Sequence, residues 1–580
     1  MDQKRLFLAI AISVVILLGF QMLLPAPKPV LAPVPAASST GVPAPAGPNA
    51  VPAPVAGAAT ATGAVPKEVP RLPIAGAQVE GSISLLGARI DDLVLKGYRE
   101  TVKPGAKLVR LLEPRSEKQP YYIQVGWSAD AASAGVKLPD SDTLWQGSGT
   151  VAPGVSALLR WENGAGLQFE IEIGLDAAFM FTVTQRVRNT TGAAVSLHPW
   201  ARIRRDYKPV TAGYYILHEG MIGVLDGRLK ETTYDGAKSD GEKKAGVALE
   251  QTSPGGWIGF TDKYWLTALV PDQQTAFTAA FRHVSEGGTD RYQVDFVTKD
   301  AVVVAAGAVA RTVTHAFAGA KEVHVLDRYE TEHKALNFDK AVDFGWFYFI
   351  TKPFFYALDW LYGLTGNFGI AILIFTLFIK LLFFPLANVS YRSMSKMKLL
   401  APKMTVLREQ YKEEPQKLQQ AMMEMYRAEK VNPAAGCLPI IIQIPVFFAL
   451  YKVIFTTIEM RHAPFFGWIR DLSDIDPTNV FNLFGLLPFD PGQWSSFLHL
   501  GVWPLVMGVT MWGQMKLNPP PPDPIQAKVF AWMPVLFTFM LASFPAGLVI
   551  YWTWNNLLTI GQQWLIMRQT TLDKPQAARV

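Results

Sequence analysis

The sequence has one cysteine, Cys437, in 580 residues. A disulfide framework needs pairs, and a structural zinc site needs several thiolates or clustered imidazoles, so both are excluded. The eight histidines are scattered and none stands in an HExxH arrangement, the commonest zinc-hydrolase signature. Charge is also scarce. Charged residues make up 18% of the chain against 50% hydrophobic, and the mean hydropathy is +0.17. That is too apolar for a disordered chain and leans towards a membrane protein. Charge-poor runs concentrate at the N-terminal tip and after residue 345, while the middle has ordinary soluble composition. The net charge of +6 is modest, so the informative question is where the charges sit.

Leu6–Leu24 is 19 residues without a charge, preceded by Lys4 and Arg5. A helix of that length rises about 28 Å, close to the hydrocarbon thickness. It reads as an uncleaved anchor over 1–24, N-terminus cytoplasmic, because a signal-peptide apolar core usually runs only about 7–15 residues. Residues 25–66 hold 11 prolines and one charge, Lys28. They have no periodicity and read as a semi-extended tether, with a proline-recognition ligand as the alternative.

Residues 67–337 read as a soluble all-β domain. Leu167, Phe169, Ile171, Ile173 and Leu175 alternate with polar neighbours, and Phe179 to Val187 repeats the pattern. Period-two alternation gives strands with one buried face, and turn signals such as Asp226-Gly227 recur, so a large antiparallel sandwich is expected. Its histidines have no motif partners and read as surface or satisfied core groups.

After Phe338 the character changes. Residues 338–366 suggest an aromatic amphipathic helix in the membrane interface. Further spans are expected at Asn367–Leu386, Leu438–Ile458, Phe497–Met515, Val529–Ser543 and Gly547–Met567. The loop 387–435 carries nine Lys/Arg and five acids, whereas 459–496 carries two and five. The positive-inside rule places the first in the cytoplasm and the second outside. Six spans with both termini inside and the β domain outside satisfy every loop. The fold class is therefore an α-helical polytopic membrane protein with a large external β-sandwich, ending in a short cytoplasmic tail at 571–580.

The loop 387–435 has a heptad seam on each arm: Met397, Leu400, Met404 and Leu407, then Leu418, Met422 and Met425. This predicts a helical hairpin packed as a short antiparallel coiled coil, with Pro402 kinking or restarting the first arm. Met394 and Met423 are expected to be exposed and to give an adaptable docking surface. A basic hairpin without a partner is the plain alternative.

Lys380 is the lone charge of its span, about 9 Å from the predicted cytoplasmic end. Burying a cation in hydrocarbon costs at least about 2.5–3.5 kcal/mol, so it either snorkels to the interface or faces a polar cavity. Thr376 lies one turn earlier. The last span repeats polar groups at Tyr551, Asn555 and Gln562, and beside them Trp552, Asn556 and Gln563; Gln443 adds another. One cation among amides is not a catalytic constellation, and no cofactor is expected.

The runs Met394-Ser395-Lys396-Met397, Leu400-Ala401-Pro402-Lys403, Tyr426 to Pro433, Gly436-Cys437-Leu438-Pro439, Gln443 to Phe447, Phe544 to Leu548 and Asn556 to Ile560 resemble the YidC family of membrane protein insertases. The resemblance covers about 345–570, and the N-terminal anchor with its large outer domain is similar to the Gram-negative form. It implies an inner-membrane location and a periplasmic sandwich resembling the galactose-mutarotase fold. It further implies insertion and folding of nascent membrane-protein clients, alone or beside the Sec translocon, with ribosome, signal-recognition machinery and membrane lipids as further partners and no direct reading of nucleic acid. By the same resemblance, client segments enter a hydrophilic groove whose basic position corresponds to Lys380, usually Arg in relatives, with Thr376 beside it. A small-anion transporter using Lys380, or a carbohydrate-active β domain, are the competing readings.

Overall fold

A computed structural model describes residues 68–213, 217–411, 414–429, 431, 438–489, 491–494, 498–518 and 524–572. The predicted anchor, the tether, Cys437 and the end of the tail lie outside the described residues.

The first part is a sandwich of two antiparallel sheets. One has ten strands and runs from Arg71–Ala75 through Tyr121–Ala129 and Val195–Arg205 to Val247–Ser253; the other has nine and runs from Arg228–Thr233 through Val309–Ala320 and Leu167–Leu175 to Gln146–Ser148. Leu167–Leu175 buries every second residue, as its alternation predicts. The two inner faces meet through aromatic pairs: Trp127 packs edge-on against Phe169 at 5.0 Å, and Tyr121 against Phe260 at 6.1 Å. Gln185 crosses the core and donates to Gly126 O at 2.8 Å, so a polar residue on an inward position is partly satisfied rather than stranded. The domain is not purely β. Two ten-residue helices, α1 (Tyr234–Lys243) and α2 (Val323–Glu332), interrupt it; α1 opens on the Thr233 side chain accepting from Gly236 N, a capping signal that strand alternation does not register.

Helices dominate the rest: α3 (Tyr348–Thr365), α4 (Phe368–Leu382), α5 (Phe384–Gln410), α6 (Pro415–Ala428), α7 (Leu438–Thr456), α8 (Val502–Leu517), α9 (Pro524–Leu541) and α10 (Ala546–Leu572). The expected amphipathic helix is α3, with Phe355 and Leu358 buried and Trp360 exposed. The span expected at Asn367–Leu386 is not one helix. It bends by 67° at Phe383 into α5, because Pro385, in the first turn of α5, cannot continue the hydrogen-bond ladder. Among the described residues no single helix is long and apolar enough to cross a membrane, and the bent pair passes only together. Of the two outcomes expected at Pro402, a restart does not occur: α5 continues through it as one helix. Helices α8 and α9 approach closely at Gly508, where a Cβ would collide with Thr538 Oγ1.

The sandwich and the helices are joined by specific contacts. Glu459, just after α7, accepts from Val323 N at 2.9 Å and so caps α2, whose own N-cap residue Glu322 makes no side-chain cap. Arg461 donates to Arg99 O at 2.6 Å, Lys452 pairs with Asp343 at 2.8 Å, and Tyr264 meets Ser473 at 3.0 Å.

Candidate functional site: a polar seam between α4 and α10

Helix α4 is apolar, and its N-terminus is fixed by Asn367 accepting from Ile370 N at 3.1 Å. Because the helix stops at Phe383, Lys380 lies in its last turn rather than six residues deep. Its ammonium donates to Thr559 Oγ1 on α10 at 2.9 Å. Thr559 in turn donates to Asn555 O at 2.7 Å, and the Tyr391 hydroxyl of α5 also reaches Thr559. Among the described residues no carboxylate pairs with Lys380. The Trp554 indole donates to Leu373 O at 3.1 Å, locking α10 to α4 about two turns of α4 before Lys380.

Tyr551, Asn555, Thr559 and Gln562 recur at spacings of 4, 4 and 3, so they share one face of α10. Gln443 of α7 donates to the Tyr551 hydroxyl, extending this polar line to a third helix. Gln562 Nε2 is buried and has no partner among the described residues. A line of hydroxyls and amides ending in one cation can solvate a peptide or acidic side chain that has left water; it has no nucleophile–base pair.

Four sequence candidates fall elsewhere. Asn556 is buried and donates to Thr510 of α8 at 3.2 Å, and Gln563, about two turns further on, bonds Asn518 at 3.1 Å. That second polar row therefore joins α10 to α8 instead of lining the seam, since adjacent residues on a helix point about 100° apart. Trp552 packs edge-on against Phe447 at 4.7 Å and near Phe537, an aromatic contact between α7, α9 and α10. Thr376 is buried and its hydroxyl is returned to Ile372 O at 2.6 Å, so it supports the helix rather than offering a free donor. Thr559 and Tyr391 were missed. Thr559 completes the 551/555/562 spacing, a signal present in the sequence; Tyr391 reaches the site only through the bend at Phe383.

In the hairpin, Met397, Leu400 and Met404 pack against Met422, Met425, Tyr426 and Val431, while Leu407 stands outside that cluster. Met423 is exposed. Met394 is not: it is half-buried and lines a small cavity of about 10 Å³ with Tyr391, Ser395 and Gln563.

The sandwich carries a cleft of about 470 Å³ lined by Arg205, Tyr207, Glu219, Asp262 and Tyr264 among others. Its acids are occupied by the fold. Asp262 takes both Arg205 nitrogens at 2.9 and 2.8 Å, and Glu219 accepts from Ala212 N at 2.6 Å and Lys263 N at 3.1 Å. These are structural engagements, not a general acid–base pair facing a substrate.

Residues 71–357 match the family model described as "YidC periplasmic domain", and residues 360–574 the one described as "60Kd inner membrane protein". The chain is 58% identical to "Membrane protein insertase YidC" of Granulibacter bethesdensis over 100% of both chains. It is 52% identical to the protein of that name from Acidiphilium cryptum, over 88% of this chain and 86% of the relative. Among solved structures, an active YidC insertase with its first transmembrane domain resolved aligns with 86% of this chain and 92% of its own, at 16% identity and a TM-score of 0.34. The chain thus belongs to the YidC family of membrane protein insertases: a multi-pass inner-membrane protein with a periplasmic β domain, whose work is to insert and chaperone other membrane proteins and not to catalyse a reaction.

Proposed function

We propose that the seam of Lys380, Thr559, Asn555, Tyr551, Gln562 and Gln443 is where a client's hydrophilic segment enters the bilayer. The single observation that carries this is a cation on a membrane helix, held by a hydroxyl of the facing helix with no carboxylate among the described residues. A polar segment crossing bare hydrocarbon loses its hydration. A line of hydrogen-bonding groups on α10 and α7 supplies partial replacement, which lowers that cost without an energy source. The client's own apolar helix then moves into lipid because burying about 20 apolar residues is favourable.

The topology we propose has six spans, N- and C-termini cytoplasmic, with 1–24 as anchor, 25–66 as tether, 67–337 as periplasmic sandwich, 338–366 interfacial and 367–570 as insertase core. Loop charge supports it, with nine Lys/Arg in 387–435 against two in 459–496. The sandwich is proposed to be of the mutarotase type. The hairpin 387–435 is proposed to capture clients; its thin apolar seam and exposed Met423 support that reading. Clients come alone or beside the Sec translocon, with ribosome, signal-recognition machinery and membrane lipids as further partners.

The test is photo-crosslinking from two neighbouring positions of α10 during synthesis of a small membrane protein. A crosslinker at Asn555 should trap the nascent client, whereas one at Asn556, facing α8, should not. Equal trapping from both, or from Asn556 alone, would contradict the seam.

A further inference from the structure

The connection from α7 to α8 changes character halfway. Its first half carries Arg461, Arg470, Asp471, Asp474 and Asp476 and docks on the sandwich through Arg461 and Ser473. The stretch Pro477–Phe489 has no charged residue. It contains a short helical turn at Val480–Gly485, and Phe481, Leu483, Phe484, Leu486, Leu487 and Phe489 are all exposed, Leu486 at 82%. Isolated exposed apolar residues are ordinary, but a contiguous patch on a loop is not.

The loop's backbone is closed on itself. Val480 N donates to Leu500 O at 2.9 Å, Phe484 N to Asn479 O at 2.9 Å, and Leu487 N to Asn482 O at 3.1 Å. The side chains of two asparagines take two more: Asn479 Oδ1 accepts from Phe481 N at 3.1 Å and Asn482 Oδ1 from Gly485 N at 2.9 Å. Pro488 has no N–H to satisfy. Leu483 and Phe484 sit at φ 52° and 60°, the left-handed region that bulky side chains avoid. These N–H groups are satisfied by neighbouring backbone and asparagine oxygens while the large apolar side chains stand exposed, at a cost in backbone strain. That is unfavourable for a loop in water and favourable for one in a medium that cannot hydrogen-bond.

We propose that Val480–Phe489 is a wedge seated in the periplasmic leaflet of the bilayer, at the boundary of headgroups and acyl chains. The inference rests on the proposed topology, which puts the α7–α8 connection outside. Both ends of the connection join membrane helices, so the tip stays close to the bilayer surface. The absence of charge fits acyl chains and not an anionic headgroup or a charged partner protein. An irregular backbone does not descend into the hydrocarbon centre, so interfacial seating, about 5–10 Å deep, is the expected depth. The loop gives the insertase a second membrane contact beside α3, on the side where a client's translocated segment emerges.

The test uses full-length protein in liposomes with Cys437→Ser and one spin-labelled cysteine, checked for normal client insertion. Nitroxide collision with oxygen, which partitions into lipid, is compared with collision with a water-soluble nickel chelate. Leu486→Cys should give an oxygen-to-nickel ratio near that of Phe448→Cys on α7 and several times that of Glu117→Cys on the sandwich. A ratio equal to that at Glu117 overturns the wedge. Protection from both reagents also overturns it, because a protein then covers the loop. Labelling of Arg470→Cys with an impermeant thiol reagent reads the topology separately: it should react from the same side as Glu117→Cys, and reaction from the opposite side means that the topology has failed, whatever the collision ratio.

Discussion

The sandwich and the helical core treat charge in opposite ways. In the sandwich, Arg205 is buried with both outer nitrogens on Asp262, and its guanidinium lies 4.0 Å above the Tyr121 ring. Arg282 is held by Asp295 at 2.9 Å. Lys321 rests on a threonine hydroxyl, Thr261 Oγ1 at 2.9 Å, with no ion pair among the described residues, but the charges of Asp343, Asp262 and Glu219 act on it while burial lowers its ammonium to about 8. In the core, Lys380 meets a hydroxyl and no carboxylate among the described residues. A charge whose geometry is closed by an opposite charge serves the fold. A charge held only by a hydroxyl, with no acid beside it among the described residues, as at Lys380, is open to a carboxylate that displaces the hydroxyl.

The comparison breaks most visibly if a sandwich charge is unpaired. Asp262→Ala leaves Arg205 buried without its partner and should cost about 3–5 kcal/mol. Denaturant unfolding of the full chain, followed by tryptophan fluorescence, checks it; a loss below about 1 kcal/mol would show that the pair is not structural. Lys380→Met, by contrast, should leave the unfolding midpoint unchanged or raised, because no opposite charge among the described residues is orphaned and Thr559 keeps its bond to Asn555 O.

A smaller effect is expected where the two regions meet. Glu459→Ala removes the cap from α2 and should cost about 1 kcal/mol. Burial pushes the Glu459 carboxyl up from 4.5 to about 7, with Glu322 and Asp359 adding repulsion. The folded state therefore binds the proton more tightly than the unfolded one, and this group's contribution to stability falls as pH rises from about 4.5 to about 7. Denaturant midpoints across that window should carry this slope, and Glu459→Gln, which keeps an acceptor for Val323 N, should lose it. An unchanged slope in the Gln variant would assign the pH dependence to other groups.

The smallest effects belong to the hairpin. Lys403 pairs with Glu429 at 2.7 Å, but both are exposed, so Lys403→Ala should change stability by less than about 1 kcal/mol. The thin seam of α5 and α6 should open readily, and hydrogen exchange should be faster across 388–429 than across α7. Protection equal to that of α7 would count against a mobile capture element.

Much of the sandwich was legible because alternation at Leu167–Leu175 is a local signal written on each strand. The two helices inside the sandwich were not, since α1 and α2 are short and half-polar and their caps come from Thr233 and from Glu459, the latter over a hundred residues away. In the site, the repeat of polar groups on α10 was visible, but which of its two rows faces α4 depends on how the helix is rotated against its neighbours. That rotation is set by packing, as at Gly508 between α8 and α9 and Trp554 on Leu373. Pro385 stood unread inside the expected span Asn367–Leu386, and the effect of the bend at Phe383, bringing Tyr391 to Thr559 and Lys380 to the helix end, is a matter of direction that a one-dimensional pattern does not hold.

The central claim is that the cation at 380 receives the client. The direct measurement is protease protection of two matched clients, one with an acidic translocated segment and one with a neutral segment, in vesicles holding each Lys380 variant. Lys380→Arg should insert both. Lys380→Ala should fail for the acidic client and not for the neutral one. Lys380→Glu should fail most severely for the acidic client, because attraction becomes repulsion worth several kcal/mol at an effective dielectric of about 20 and 4 Å. Equal insertion of both clients by the Lys380→Glu variant and the unmodified protein would contradict the account.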